Sequence, residues 1–178
     1  MKPKPNPAEF ELIVKNAADT KSSVILPNSS VEKAVIVLAN IFRTSEKSIK
    51  IFANKLESPI CKDSRYIDAL RKAVVEKENL KLQVLFYDNP EKTSPTYKML
   101  DDLCFKYPGK VEMKTLSPQK KDELDNKKIN SGKKFRFAVA DDRMYRFENN
   151  NDTFEALFCF NDPTRSLALE KLFDNAFK

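Results

Sequence analysis

A single α/β domain, built on a mixed β-sheet with helices on both faces, is what three observations on this chain predict. Short apolar runs of strand length, such as Ser48 to Ala53 and Leu80 to Tyr87, alternate with stretches whose apolar residues recur at helical spacing. The length of 178 residues supports one hydrophobic core and is too short for two domains of ordinary size. The balance of 41% hydrophobic and 33% charged residues is that of a soluble globular chain, and 13 Phe against no Trp make its core Phe-rich.

In chain order, the Pro residues at 3, 5 and 7 predict an extended start. Glu9 to Lys15 (EFELIVK) alternates apolar and charged residues and reads as a short strand or edge. Residues 1–28 are therefore an N-terminal extension with a possible short strand, and the domain proper spans 29–178. Ser29 and Glu32 have the spacing of a capping box, with Ala34, Val35, Leu38 and Phe42 on one face of a helix from Val31 to Arg43. Ser48 to Ala53 is a strand with Ile49 and Ile51 on one face. Asp63 or Ser64 caps a helix whose buried stripe is Ile67, Leu70, Val74 and Val75.

Leu80 to Tyr87 is the most apolar strand and is expected at the centre of the sheet. Ser94-Pro95 opens a helix with Tyr97, Leu100, Leu103 and Cys104 inward. Lys110 to Leu116 is a strand. Residues 117–132 hold Lys120, Lys121, Lys127 and Lys128 against Asp122, Glu123 and Asp125 with little to bury, and read as a mobile basic loop. Lys133 to Ala140 and Met144 to Glu148 form a hairpin around Asp141-Asp142-Arg143, and Phe154 to Phe160 is a further strand. Asp162-Pro163 caps a last helix with Leu169, Leu172, Phe173, Ala176 and Phe177 on one face.

Composition removes several function classes. No apolar run approaches the roughly 20 residues of a membrane-spanning helix, and the Lys-Pro-rich start lacks the apolar core of a secretory signal. Cys61, Cys104 and Cys159 are odd in number and widely spaced, which predicts free thiols and a cytoplasmic setting. With no His and no Cys-x-x-Cys pair, the ligands of a structural zinc are missing. No cofactor is expected. Two Gly exclude a Gly-rich phosphate loop. The net charge of +6 and pI of about 9.1 favour anionic partners, either nucleic acid or an acidic protein surface.

One stretch carries a layout for phosphate chemistry. Lys133-Lys134-Phe135-Arg136-Phe137-Ala138-Val139-Ala140-Asp141, followed by Ala156-Leu157-Phe158-Cys159-Phe160-Asn161, resembles the phospholipase D superfamily. Its signature is His-x-Lys, four residues, then Asp, with a small polar segment ending in Asn one strand later. Here Lys134 stands for the His and Arg136 for the Lys, Asp141 falls in register, and Asn161 matches the Asn. The order of elements from about Ser48 onward also looks like one repeat of that fold.

The resemblance implies a scaffold without its nucleophile. An unperturbed lysine ammonium is a donor with no free lone pair at pH 7, whereas imidazole both attacks and shuttles protons. Two cations on one face of a strand can still grip a phosphate. The reading is a catalytically inactive binding or regulatory module that takes nucleic acid or another phosphate-bearing anion through Lys134, Arg136, Asn161, Lys120, Lys121, Lys127 and Lys128. One motif copy per chain implies a homodimer. A protein-binding role, as inhibitor or adaptor, is the alternative.

The bland readings are that Lys134 and Arg136 lie solvated on the exposed face of a half-buried strand, that Asp141 is a turn residue, and that Asn161 leads into the Asp162 cap. A further alternative takes Glu112-Met113-Lys114 with Asp101 or Asp102 as the acidic and basic set of a magnesium-dependent nuclease.

Overall fold

Asn6 opens the first helix. Its side chain accepts a hydrogen bond from the Glu9 backbone N–H (2.9 Å), and the Glu9 carboxylate accepts one from the Asn6 N–H (3.0 Å). With Pro7 at the first helical position, this capping box starts α1 (Pro7–Asp19) in a computed structural model that describes residues 6–126, 136–150 and 152–178. Phe10, Val14, Ala17 and Ala18 bury one face of it. The expected strand over Glu9 to Lys15 is thus a helix, because the cap and the helical spacing of these apolar residues outweigh a short alternation. The strand of this region is β1 (Leu26–Asn28).

The next elements lie where their patterns placed them: α2 (Val31–Thr44), β2 (Ser48–Ala53), α3 (Ser64–Glu76), β3 (Lys81–Phe86), α4 (Pro95–Lys106) and β4 (Val111–Thr115). A short 3-10 turn at Pro59–Lys62 precedes α3. Two details differ. Ser30, not Ser29, caps α2, accepting from the Lys33 N–H (3.3 Å). Val75 is 49% exposed, while Tyr66 and Ala73 complete the buried stripe of α3.

Residues 117–132 are not a loop throughout. Pro118–Asn126 is a helix, α5, with Ser117 Oγ accepting the Lys120 N–H (3.3 Å). It is tied to the end of β3: Tyr87 donates its hydroxyl to Asp125 (2.7 Å), Lys121 pairs with Asp88 (2.9 Å), and Leu124 is buried. One apolar anchor and two polar ties to a distant strand hold it, which no local window reveals. The rest of the expected loop lies outside the described residues.

The chain closes with β5 (Arg136–Ala140), β6 (Met144–Asn150), β7 (Glu155–Cys159) and α6 (Pro163–Phe177). Among the described residues seven strands form one sheet, in the order β1-β7-β6-β5-β2-β3-β4. β2, β3 and β4 are parallel; β5 is antiparallel to β2, and the β5-β6-β7-β1 side is antiparallel throughout. The middle strand is β5, so β3 sits one in from an edge rather than at the centre. Helices on both faces give β3 the double-sided burial behind its apolar run.

Helices cover both faces. Ile49, Ile51, Leu82, Val84, Ala138 and Ala140 pack under α1 to α4, while Phe52, Leu85, Phe137 and Val139 pack under α5 and α6. Pro27 stands mid-strand on edge strand β1 and Glu112 and Lys114 on edge strand β4, devices that discourage further strand pairing.

One buried group on α6 makes stability depend on pH. Burial, and then a hydrogen bond with Asp142, push the Glu170 carboxyl from 4.5 up to about 7, with Lys50 acting in the opposite direction. The folded state holds this proton more tightly than the unfolded chain. Stability from this group is therefore complete below about pH 4.5 and is lost as pH rises through 7. Glu170→Gln, which mimics the protonated acid, is expected to match the parent below that window and to exceed it by about 1–2 kcal/mol at pH 8. Urea unfolding at both pH values checks this; equal stability at pH 8 refutes it.

Candidate phosphate-binding site

The carboxyl ends of β2, β3 and β4 open on one side of the sheet, and β5 begins there because it runs antiparallel to β2. The strand direction changes between β2 and β5, and β2 has β3 on one side and β5 on the other, the kind of position where open α/β sheets hold ligands. Phe137 pairs with Phe52, so Arg136 lies level with the end of β2. Strand alternation sends Arg136 to the face of Ala138 and Ala140, under α2 and the 3-10 turn. Both faces of β5 are covered, so Arg136 is not a solvated residue on an open face; its side chain is 23% exposed.

Across the hairpin, Arg136 pairs in register with Glu148, and Ala138 with Arg146. Arg136, Glu148 and Arg146 form a largely buried ionic group. Arg146 Nη1 donates to Glu148 Oε2 (2.9 Å), its Nε to Asn28 Oδ1 (3.2 Å) and its Nη2 to the Phe154 carbonyl (3.2 Å). Arg136 Nη1 stands 3.6 Å from Glu148 Oε1. Glu148 and Arg146 are 1% and 3% exposed. Two guanidiniums against one carboxylate leave the group with one net positive charge.

A small cavity of about 50 Å³ lies beside it, lined among others by Ser58, Cys61, Tyr66 and Arg136. Burial pushes the Cys61 thiol up, opposed by its Ser58 hydrogen bond and the Arg136 charge, and Glu148 pushes it up further. Burial also holds the Tyr66 hydroxyl well above its ordinary value. Cys61 thus stays a thiol at neutral pH, which makes it a poor nucleophile. Burial lowers Arg146, with Glu148 opposing. Arg136 Nε and Glu148 Oε1 are buried with no hydrogen-bond partner among the described residues. The arrangement sets a net positive charge beside the cavity, and its Cys61 is not an activated nucleophile.

The residues singled out from sequence scatter around this group. Lys120 pairs with Glu123 (3.2 Å), and Lys121 pairs with Asp88 and lies over the Tyr87 ring (5.2 Å). Both sit on α5 at the same end of the sheet, on the opposite face from Arg136. Lys127, Lys128 and Lys134 lie outside the described residues. Asn161 does not join Arg136. Because Tyr145 pairs with Cys159, Asn161 falls at the other end of the hairpin, where its Nδ2 donates to Ser23 Oγ (3.0 Å). Asp141, at the same far end, accepts from the backbone N–H groups of Glu46, Lys47 and Ser48.

The acidic and basic set of the nuclease alternative does not assemble. Glu112 takes a hydrogen bond from Gln83 (2.8 Å) and Lys114 donates to the Phe177 carbonyl of α6 (2.9 Å), while α4, with Asp101 and Asp102, packs on the other face.

Arg146, Glu148 and Asn28 escaped sequence reading. The signal for the first two was present: Met144-Tyr145-Arg146-Phe147-Glu148 alternates as Arg136-Phe137 does, and counting outward from the Asp141-Asp142 turn sets Glu148 opposite Arg136.

Solved structures resemble this one in fold, two of them as follows. TrmBL2, an archaeal chromatin protein with a novel mode of DNA binding, aligns at a TM-score of 0.58 and 14% identity over 96% of this chain. The chain spans 58% of the length of that protein's chain. NucT from Helicobacter pylori aligns at a TM-score of 0.52 and 12% identity, over 86% of this chain and 96% of its own. At these identities the likeness concerns the fold, a phospholipase D-like α/β fold as the order of elements implied. Among the described residues no helix is long and apolar enough to cross a membrane. No curated protein matches the chain. A family model matches residues 30–178, and the chain accordingly belongs to the family of the domain of unknown function DUF7931.

Proposed function

We propose that this domain binds nucleic acid, or another phosphate-bearing anion, at the carboxyl ends of its parallel strands without cleaving it. The observation that carries the reading is Arg136, whose partly buried guanidinium is held at one end by Glu148 and whose Nε has no hydrogen-bond partner among the described residues, in a group of net positive charge. Supporting it are the net charge of +6 and the DNA binding of TrmBL2, a chain of similar fold. The proposal of inactivity rests on the chain's lack of histidine: an unperturbed lysine in that place has no free lone pair at pH 7, and burial keeps the Cys61 thiol protonated. Pairing of two copies about a twofold axis belongs to the same proposal.

The test is fluorescence anisotropy with labelled single-stranded and duplex DNA over a range of salt. Log affinity for duplex should fall with log salt by about 0.9 per phosphate contact. Arg136→Ala is expected to weaken binding by about tenfold. Lys81→Ala, an exposed charge at the opposite end of β3, should leave it nearly unchanged. Equal losses in the two variants would reduce the interaction to net charge. Unaffected binding in both would make an acidic protein surface the better partner. The same DNA should remain intact with or without magnesium.

A further inference from the structure

Arg146 has each of its nitrogens on a fixed partner: Asn28, Glu148 and the Phe154 carbonyl. It has little left to offer a ligand. Glu148 gives one oxygen to Arg146 and sets the other 3.6 Å from Arg136 Nη1. Arg136 is therefore held by one terminal nitrogen, and its buried Nε has no hydrogen-bond partner among the described residues. In a guanidinium, Nε and the terminal nitrogen beside it, Nη2, form the side-on fork that matches two oxygens of a phosphate; Nη1 lies outside that fork.

We propose that Arg146 and Glu148 are a positioning pair, with Arg146 fixing Glu148 and Glu148 fixing Arg136 so that the side-on fork of Arg136 is presented to a phosphate group. This rests on the phosphate-binding reading above. It gives the buried carboxylate a role opposite in sign to the obvious one. As a rival anion, Glu148 would weaken phosphate binding; as the anchor of Arg136, it strengthens it.

Three variants separate these: Glu148→Gln, the paired replacement Arg146→Met with Glu148→Met, and Arg136→Lys, which keeps the charge but removes the fork. The paired variant guards against loss of fold, since apolar replacement of a whole buried ion pair is often neutral or stabilising. Backbone amide spectra establish which variants are folded.

The first readout needs no ligand. The Nε–Hε signal of Arg136, assigned by its disappearance in Arg136→Lys, should be resolved and slow to exchange in the parent. It should collapse to the solvent-averaged position in the folded Glu148 variants. The second readout is anisotropy with labelled oligothymidylate. Both Glu148 variants should bind about tenfold more weakly, close to Arg136→Lys, and Glu148→Gln added to Arg136→Lys should cost nothing further.

An unchanged Nε–Hε signal overturns the proposal. So does tighter binding in Glu148→Gln, or an equal loss whether or not Arg136 is present. Should the parent bind no oligonucleotide, the phosphate reading falls, and the first readout still decides whether Glu148 positions Arg136.

Discussion

Glu148→Ala is expected to lower the unfolding free energy by about 3–5 kcal/mol, the range for breaking a buried ion pair from one side. The carboxylate is 1% exposed and stands between two guanidiniums. Its loss leaves Arg146 inside the protein with two neutral acceptors, Asn28 and the Phe154 carbonyl, and no counter-charge. Burial already lowers the Arg146 pKa with the carboxylate in place. A domain of ordinary stability has about 5–15 kcal/mol in total, so about a fifth of it or more disappears. Urea unfolding followed by circular dichroism measures the effect. Replacing Arg146 and Glu148 together by Met should cost far less, because the charge left without its partner, Arg136, is partly exposed rather than buried. If the single and paired variants are equally destabilised, the loss is one of packing and the ionic account fails.

Asp141→Ala is expected to cost about 3 kcal/mol, since each hydrogen bond to a charged acceptor contributes about 1.5–3 kcal/mol and losses at one group do not add in full. Its two oxygens accept from the N–H groups of Glu46 (2.8 Å), Lys47 (2.8 Å) and Ser48 (3.0 Å), which link the end of α2 to the start of β2. Its side chain is 6% exposed. Asp141 also sits at φ 54°, a conformation that Asp and Asn tolerate and Ala does not. Asp141→Asn keeps one acceptor oxygen and the backbone preference, so its loss should be about 1 kcal/mol. The same urea experiment decides, and a difference under the experimental error between the two variants would mean that the carboxylate ties are not what holds this junction. The bland reading of Asp141 as a turn residue was thus half the matter: it makes the turn and also joins it to another part of the chain.

Most elements were legible because their causes are local. Apolar spacing in Ala34 to Phe42, the Asp63 cap, Pro95 and Pro163 at first helical positions, and the alternation in Ser48 to Ala53 each act within a few residues. Most of the readings that changed have causes far along the chain, the Asn6 cap of α1 being a local one. α5 exists through Tyr87 and Asp88, more than thirty residues upstream in sequence, by ties to Asp125 and Lys121. α1 depends on a cap at Asn6 that an alternating run of apolar and charged residues disguised, and on burial of Phe10 against Phe158. The centre of the sheet is β5 rather than the more apolar β3, since hydrophobicity reports burial on both faces and not rank order among strands.

The candidate site divides the same way. Sequence alone determined that the chain has no imidazole, that Arg136 points to one face of a strand, and that the charge balance is positive. It could not tell which cations are engaged. The tertiary structure decided that Lys120 and Lys121 are paired on the other face, that Asn161 belongs to the far end of the hairpin, and that Arg136 shares a buried carboxylate with Arg146. The reason is physical. A side chain's direction along a strand follows from alternation within that strand, whereas the partner of a charge depends on strand register and on which helix closes over it.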